Sequence, residues 1–141
     1  MIPGDRKLSL QRTVKSPLWG STIPERLAYL CWDLEQHPET VETFFQLADG
    51  HQRRKPGRRF SGSDVFAVMR WNGSGHAGDD TFRMNNNLCT CFVRLYVQER
   101  PESRKLLDLR KSWLDSLNAK EQEQLDDALA RGRAKLEARN P

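Results

Sequence analysis

No apolar run in this 141-residue chain approaches the roughly 20 residues that a membrane-spanning helix needs. A membrane partner is therefore not expected. The opening residues, Met1-Ile2-Pro3-Gly4-Asp5-Arg6-Lys7, lack the apolar core of a secretory signal, so the expected location is cytoplasmic. Cysteine is scarce: Cys31, Cys89 and Cys91 are an odd number, which argues against a disulfide framework. Structural zinc wants two closely spaced ligand pairs. Here Cys89-Thr90-Cys91 leaves one residue between thiols, which then point in different directions on a helix, and His37, His51 and His76 are scattered. No metal and no cofactor is expected, and the cysteines read as small core residues.

A catalytic constellation is missing as well. His76-Ala77-Gly78-Asp79-Asp80 places an imidazole beside two carboxylates in a glycine loop, but the spacing supplies no further partner. The chain is therefore expected not to be an enzyme.

What is present is enough for one domain: 37% hydrophobic residues, four Trp and six Phe for a core, and 30% charged residues for the surface. The net charge of +4 is unevenly spread. Residues 21–50 hold six carboxylates against one arginine, whereas the next nine residues hold five cations and no acid. Such asymmetry gives the molecule a directional field.

Periodicity predicts a mainly α fold. Residues 1–20 read as an N-terminal arm that packs through Leu18 and Trp19; residues 21–117 form a helical core domain; residues 118–141 form a C-terminal helix packed on or extending from it. Thr22-Ile23-Pro24-Glu25 has the spacing of a capping box with proline in the first turn. Leu27, Leu30, Cys31 and Leu34 then share one face up to Pro38. A second helix is expected over 39–49, with Val41, Phe44, Phe45 and Ala48 inward and Gly50 as its left-handed stop. The third starts at Ser61-Gly62-Ser63-Asp64 and buries Val65, Phe66, Val68 and Met69. The fourth starts near Asn86, with Leu88, Cys91, Phe92 and Leu95 inward. Residues 72–80 form a bare loop or the tip of a short β-hairpin with Thr81-Phe82-Arg83-Met84 as a strand. Residues 106–113 fit a helix or a strand. Asn118-Ala119-Lys120-Glu121 caps the last helix, which has a weak point at Gly132.

Two short helices approached by positive charge suggest a helix-turn-helix or winged-helix domain, in an expanded form because about 14 residues separate them. In this reading the loop Arg53-Arg54-Lys55-Pro56-Gly57-Arg58-Arg59 tracks phosphates. The outer side of the fourth helix offers Asn87, Thr90, Arg94 and Gln98 to a groove, with Arg83 on the approach. Alternatively the basic loop neutralises the acidic first helices, within the chain or across an oligomer, and Arg94 binds a carboxylate from them. Trp71 and Trp113 have the residue type for stacking or anchoring, but at the ends of apolar segments they are expected in the core.

The string Phe66-…-Arg70-Trp71, then Phe82-…-Asn85-Asn86-Asn87, then Arg94-Leu95-Tyr96 and Pro101, resembles a family of small uncharacterised bacterial and phage proteins. That family's pattern is close to F-x-x-I-R-W, F-K-x-N-N-N-Y and Y-A-R-L-Y, and the resemblance covers residues 39–112. The chain departs from it at Leu88, in place of an aromatic, and at Asn72, in place of an acid. The resemblance implies a shared fold and a bacterial or phage origin, and no reaction. The expected function is non-catalytic binding of nucleic acid, DNA rather than RNA. The competing expectation is a protein-interaction module such as a phage-type inhibitor or adaptor.

Overall fold

The computed structural model describes residues 15–73, 85–107 and 109–139, and among these it is built from five α-helices. Helix α1 (Ile23–Gln36) begins at a formed capping box: Thr22 Oγ1 accepts from the Glu25 amide at 3.3 Å, and Glu25 Oε1 accepts from the Thr22 amide at 3.2 Å. The Thr22 hydroxyl, which donates to Glu25 Oε1 at 2.8 Å, and then the Thr22 amide hold the Glu25 carboxyl below its ordinary pKa. Pro38 occupies the first turn of α2 (Pro38–Arg54), where its missing N–H costs nothing.

Helix α2 does not stop at Gly50. It continues to Arg54, with Gly50 buried inside it, and the stop is set by Pro56. The residue before a proline is driven out of the α region. Lys55 accordingly takes φ −134° and ψ 70°. The left-handed position falls at Gly57, with φ 76°. The first two cations of the basic run therefore stand on the last turn of a helix, and only the remaining three lie in the loop.

Helix α3 (Gly62–Gly73) starts where Ser61 Oγ accepts from the Asp64 amide at 3.1 Å. It buries Val65, Phe66 and Met69, but Val68 is 45% exposed and Trp71 79% exposed. The expectation that both are core fails because α2 and α4 cover only the face of Val65, Phe66 and Met69, and 3.6 residues per turn carries Val68 and Trp71 off it. Helix α4 (Leu88–Glu99) buries Leu88, Cys91, Phe92 and Leu95, and also Val93 and Tyr96. It is embedded on two sides because α3 closes on it. At Gly62 a Cβ would collide with the Val93 methyl and lie 3.2 Å from Cys89 Sγ.

Between α4 and α5 (Ala119–Arg139) the chain is neither the helix nor the strand that residues 106–113 suggest. It makes two 3₁₀ turns, Pro101–Lys105 and Trp113–Ser116, and a single parallel bridge between Phe60 and Leu107. No strand is present among the described residues, so the fold is mainly α. The proposed hairpin over 72–84 falls largely outside those residues. No helix among them is long and apolar enough to cross a membrane.

Helix α5 is capped reciprocally by Asn118 and Glu121 at 2.8 and 2.9 Å. It packs along α1 and also touches α2. Gly132 is the point of closest approach: a Cβ there would overlap the Leu34 carbonyl oxygen and lie 3.2 Å from Pro38 Cβ. Its value is the absence of a side chain, so the glycine is a seat rather than a weak point. Of the described residues before α1, Trp19 packs edge-on to Tyr29 at 5.5 Å and to Trp113 at 6.0 Å. Leu18 is 85% exposed and contributes nothing to the core. Trp113 is half-buried against the same cluster.

Candidate nucleic-acid interface

Four of the six carboxylates of the first two helices find ion-pair partners in α5 or at the end of α4, not in the basic loop. Arg131 meets Glu35 at 3.0 Å, Arg139 meets Glu39 at 3.3 Å, and Arg133 bridges Glu42 and Glu99, both at 2.5 Å. Asp49 is taken by Arg100 at 2.7 and 2.9 Å and accepts from Tyr96 Oη at 2.6 Å. Burial works to raise the Asp49 pKa, but the hydrogen bonds from Arg100 and Tyr96 outweigh it and hold the carboxyl below its ordinary value. The Arg100 guanidinium also lies over the Phe45 and Tyr96 rings, at 5.2 and 5.1 Å. Within the chain, the ion pairs of Glu35, Glu39, Glu42 and Asp49 therefore come from α5 and the end of α4, and none comes from the loop among the described residues.

The loop cations stand apart from these pairs, although the Arg53 charge also helps to lower the Asp49 pKa. Arg53, Arg54, Lys55, Arg58 and Arg59 are all exposed, and none forms an ion pair among the described residues. The loop nevertheless has fixed ends. The Arg58 amide donates to the Lys55 carbonyl at 3.1 Å, and the Phe60 amide donates to the Leu106 carbonyl at 3.0 Å. Phe60 is buried and stacks on His51 at 4.5 Å between ring centres.

The same bridge brings in a second basic element that the sequence reading did not single out. Arg59 Nη1 donates to the Lys105 carbonyl at 3.2 Å, which sets the turn Pro101–Lys105 beside the loop and adds the exposed Arg104 and Lys105. Ser103 anchors that turn: it is fully buried, and its hydroxyl donates to the Arg100 carbonyl at 2.7 Å. The only sequence signal was an Arg-Lys pair in a segment of modest positive charge, and nothing local linked it to residues 53–59.

Helix α4 contributes differently. Asn87, Thr90 and Gln98 are exposed on its outer arc. Asn85 does the capping, its Oδ1 accepting from the Asn87 amide at 2.9 Å, while the Asn87 side chain makes no capping bond. Arg94, by contrast, is committed. Its Nη1 and Nη2 hold the two oxygens of Asp115 at 2.7 and 3.2 Å, and Nη2 also donates to the Arg110 carbonyl. The side chain is 19% exposed. Its carboxylate partner comes from the second 3₁₀ turn and not from the acidic first helices. None of these α4 side chains hydrogen-bonds to the loop, and Arg83 lies outside the described residues, as do His76, Asp79 and Asp80.

The thiols are core groups: burial pushes Cys31 up to about 11 and Cys91 up to about 12. Among the described residues no three His, Cys, Asp or Glu side chains come together as a metal site. Comparisons with family models, with curated proteins and with solved structures find no match.

Proposed function

We propose that this chain is a non-catalytic nucleic-acid-binding protein whose contact surface is the basic loop 53–59 together with the turn at 101–105. The observation that supports this reading is a contrast within one molecule. The arginines of α5, with Arg94 and Arg100, are matched by carboxylates, whereas seven cations gathered from two separate segments face solvent with no ion pair among the described residues. An exposed, anchored set of arginines and lysines is what a run of phosphates requires. The resemblance to bacterial and phage proteins supports such an origin, and a cytoplasmic setting fits this partner.

The helix-turn-helix or winged-helix form of the proposal keeps Asn87, Thr90 and Gln98 of α4 as lesser contacts and drops Arg94, whose Nη1 and Nη2 are engaged with Asp115 and the Arg110 carbonyl. A second reading, a protein-interaction module of the inhibitor or adaptor type, draws on the outward Val68 and Trp71 of α3. Anisotropy titration of labelled DNA with the parent chain and with an Arg53/Arg54/Arg58/Arg59 to Ala variant separates the two. The nucleic-acid reading expects saturable binding that the variant loses; no binding by the parent at low salt rejects it.

A further inference from the structure

We infer that the basic patch holds the phosphate backbone of a duplex without reading its base sequence. This rests on the nucleic-acid reading above and narrows it to one kind of ligand and one mode of contact.

Residue chemistry comes first. Base readout needs amides, hydroxyls or rigidly held guanidiniums aimed at base edges. Residues 53–59 contain no amide or hydroxyl side chain, and the hydroxyl of the neighbouring turn, Ser103, is buried and bonded to the Arg100 carbonyl. The nearest amide, Gln52, is engaged with Tyr96 Oη at 3.0 Å. Arginine reads guanine when its fork is held in place. Here Arg53, Arg54 and Arg58 have no hydrogen-bonded support among the described residues, and Arg59 has a single carbonyl. Long, unsupported cations suit phosphates, which tolerate many approach angles.

Single strands are held chiefly by stacking bases on exposed aromatic rings, together with charge. The aromatic within the patch, Phe60, is 9% exposed and already stacked on His51. A duplex needs no such platform and presents about one negative charge per 1.7 Å of axis.

Groove entry by α4 is restricted at its centre. The Arg110 carbonyl and the Asp115 carboxylate are pinned to Arg94, so the chain leading into the second 3₁₀ turn lies at the middle of the arc that would face bases, between the exposed Thr90 and Gln98. The helix that does reach the patch, α2, arrives with its C-terminal end, whose dipole disfavours anions. Contact is thus left to side chains reaching past that end to the backbone.

The test is equilibrium binding of the full chain to fluorescent probes of equal length: two DNA duplexes of unrelated sequence, a duplex RNA, one of the DNA single strands, and vesicles of phosphatidylcholine with phosphatidylglycerol. The two DNA duplexes are expected to bind within about threefold of each other, because phosphate contacts carry no sequence information. The single strand is expected to bind at least about tenfold more weakly for want of stacking. With about five phosphates engaged, affinity should fall roughly 500-fold between 50 and 200 mM salt. The duplex RNA arm assigns the source of the backbone, and binding to either duplex supports the inference. Strong preference for one DNA sequence, or for the single strand, overturns the inference while leaving nucleic-acid binding in place. Undiminished affinity in the Arg53/Arg54/Arg58/Arg59 to Ala variant, or binding to vesicles alone, overturns the underlying reading too. Should that variant fail to fold by circular dichroism, Arg53→Gln with Arg104→Gln and Lys105→Gln carries the same comparison.

Discussion

Two arginine-rich regions of this molecule make opposite use of the same side chain. Along α5, Arg131, Arg133 and Arg139 each meet a glutamate of α1, α2 or α4. Around the loop and the adjoining turn, no described carboxylate pairs with Arg53, Arg54, Arg58, Arg59 or Arg104. The first set closes an interface between helices; the second leaves its charge exposed at the surface. What separates them is the acid within reach, and this makes the comparison testable by substitutions that act on one side only.

The largest effect is expected from pH at the junction of α1 and α2. Asp33 is buried with Oδ2 lacking a hydrogen-bond partner among the described residues; burial, then the nearby Glu39, push its pKa from 3.8 up to about 7, against the opposing pull of His37. An acid whose folded pKa is raised favours the fold while protonated. Its contribution is therefore complete below about pH 4 and is lost as pH rises to about 7, by at most on the order of 4 kcal/mol. The His37 pKa is also raised, chiefly by its hydrogen bond to Glu39, and its contribution likewise fades as pH rises through its folded value. Glu39 and Asp49, with lowered pKa values, act in the opposite sense and lose their contribution on acidification. Melting curves of Asp33→Asn should be higher than those of the parent at pH 8 and converge with them near pH 4. Parallel curves at every pH would remove Asp33 from this account. The loop variant should leave the parent's pH profile intact.

Next in size is Gly132→Val. Seating α5 against the Leu34 carbonyl leaves no room for a side chain, so the helix must shift and weaken its ion pairs; a loss of about 3 kcal/mol is expected by denaturant titration. An unchanged midpoint would mean that α5 is held elsewhere. DNA affinity measured below the transition should not change, because the patch does not use α5.

Arg94→Ala tests the boundary between the two regions. Losing a bidentate, largely covered contact to Asp115 should lower stability by about 1–2 kcal/mol while DNA affinity stays within experimental error. Weakened binding with an unchanged melting curve would return this guanidinium to the interface. The smallest effect is expected from Glu102→Lys, which exchanges the acid of the basic turn for an eighth cation beside the patch. Affinity should rise about two- to fivefold at low salt, and the gain should shrink as salt increases. A fall in affinity would place the contact surface away from this turn.

The sequence by itself determined what depends on neighbours within a few residues. Helix periodicity placed Leu27, Leu30 and Leu34, then Phe44 and Phe45, then Leu88, Phe92 and Leu95 on buried faces, and side-chain spacing located the capping boxes at Thr22 and Asn118. These features are local because they follow from 3.6 residues per turn and from hydrogen bonds closed inside one turn. Tertiary structure decided the rest. The outward turn of Val68 and Trp71 depended on where α2 and α4 lie relative to α3. The Asp115 partner of Arg94 and the joining of loop 53–59 to Arg104 and Lys105 depended on contacts 21 and 46 residues apart. A charge run in a sequence does not reveal which of its members will meet a carboxylate. Pairing is a matter of distances of a few ångströms, and the folded chain sets those distances between segments that share no local pattern.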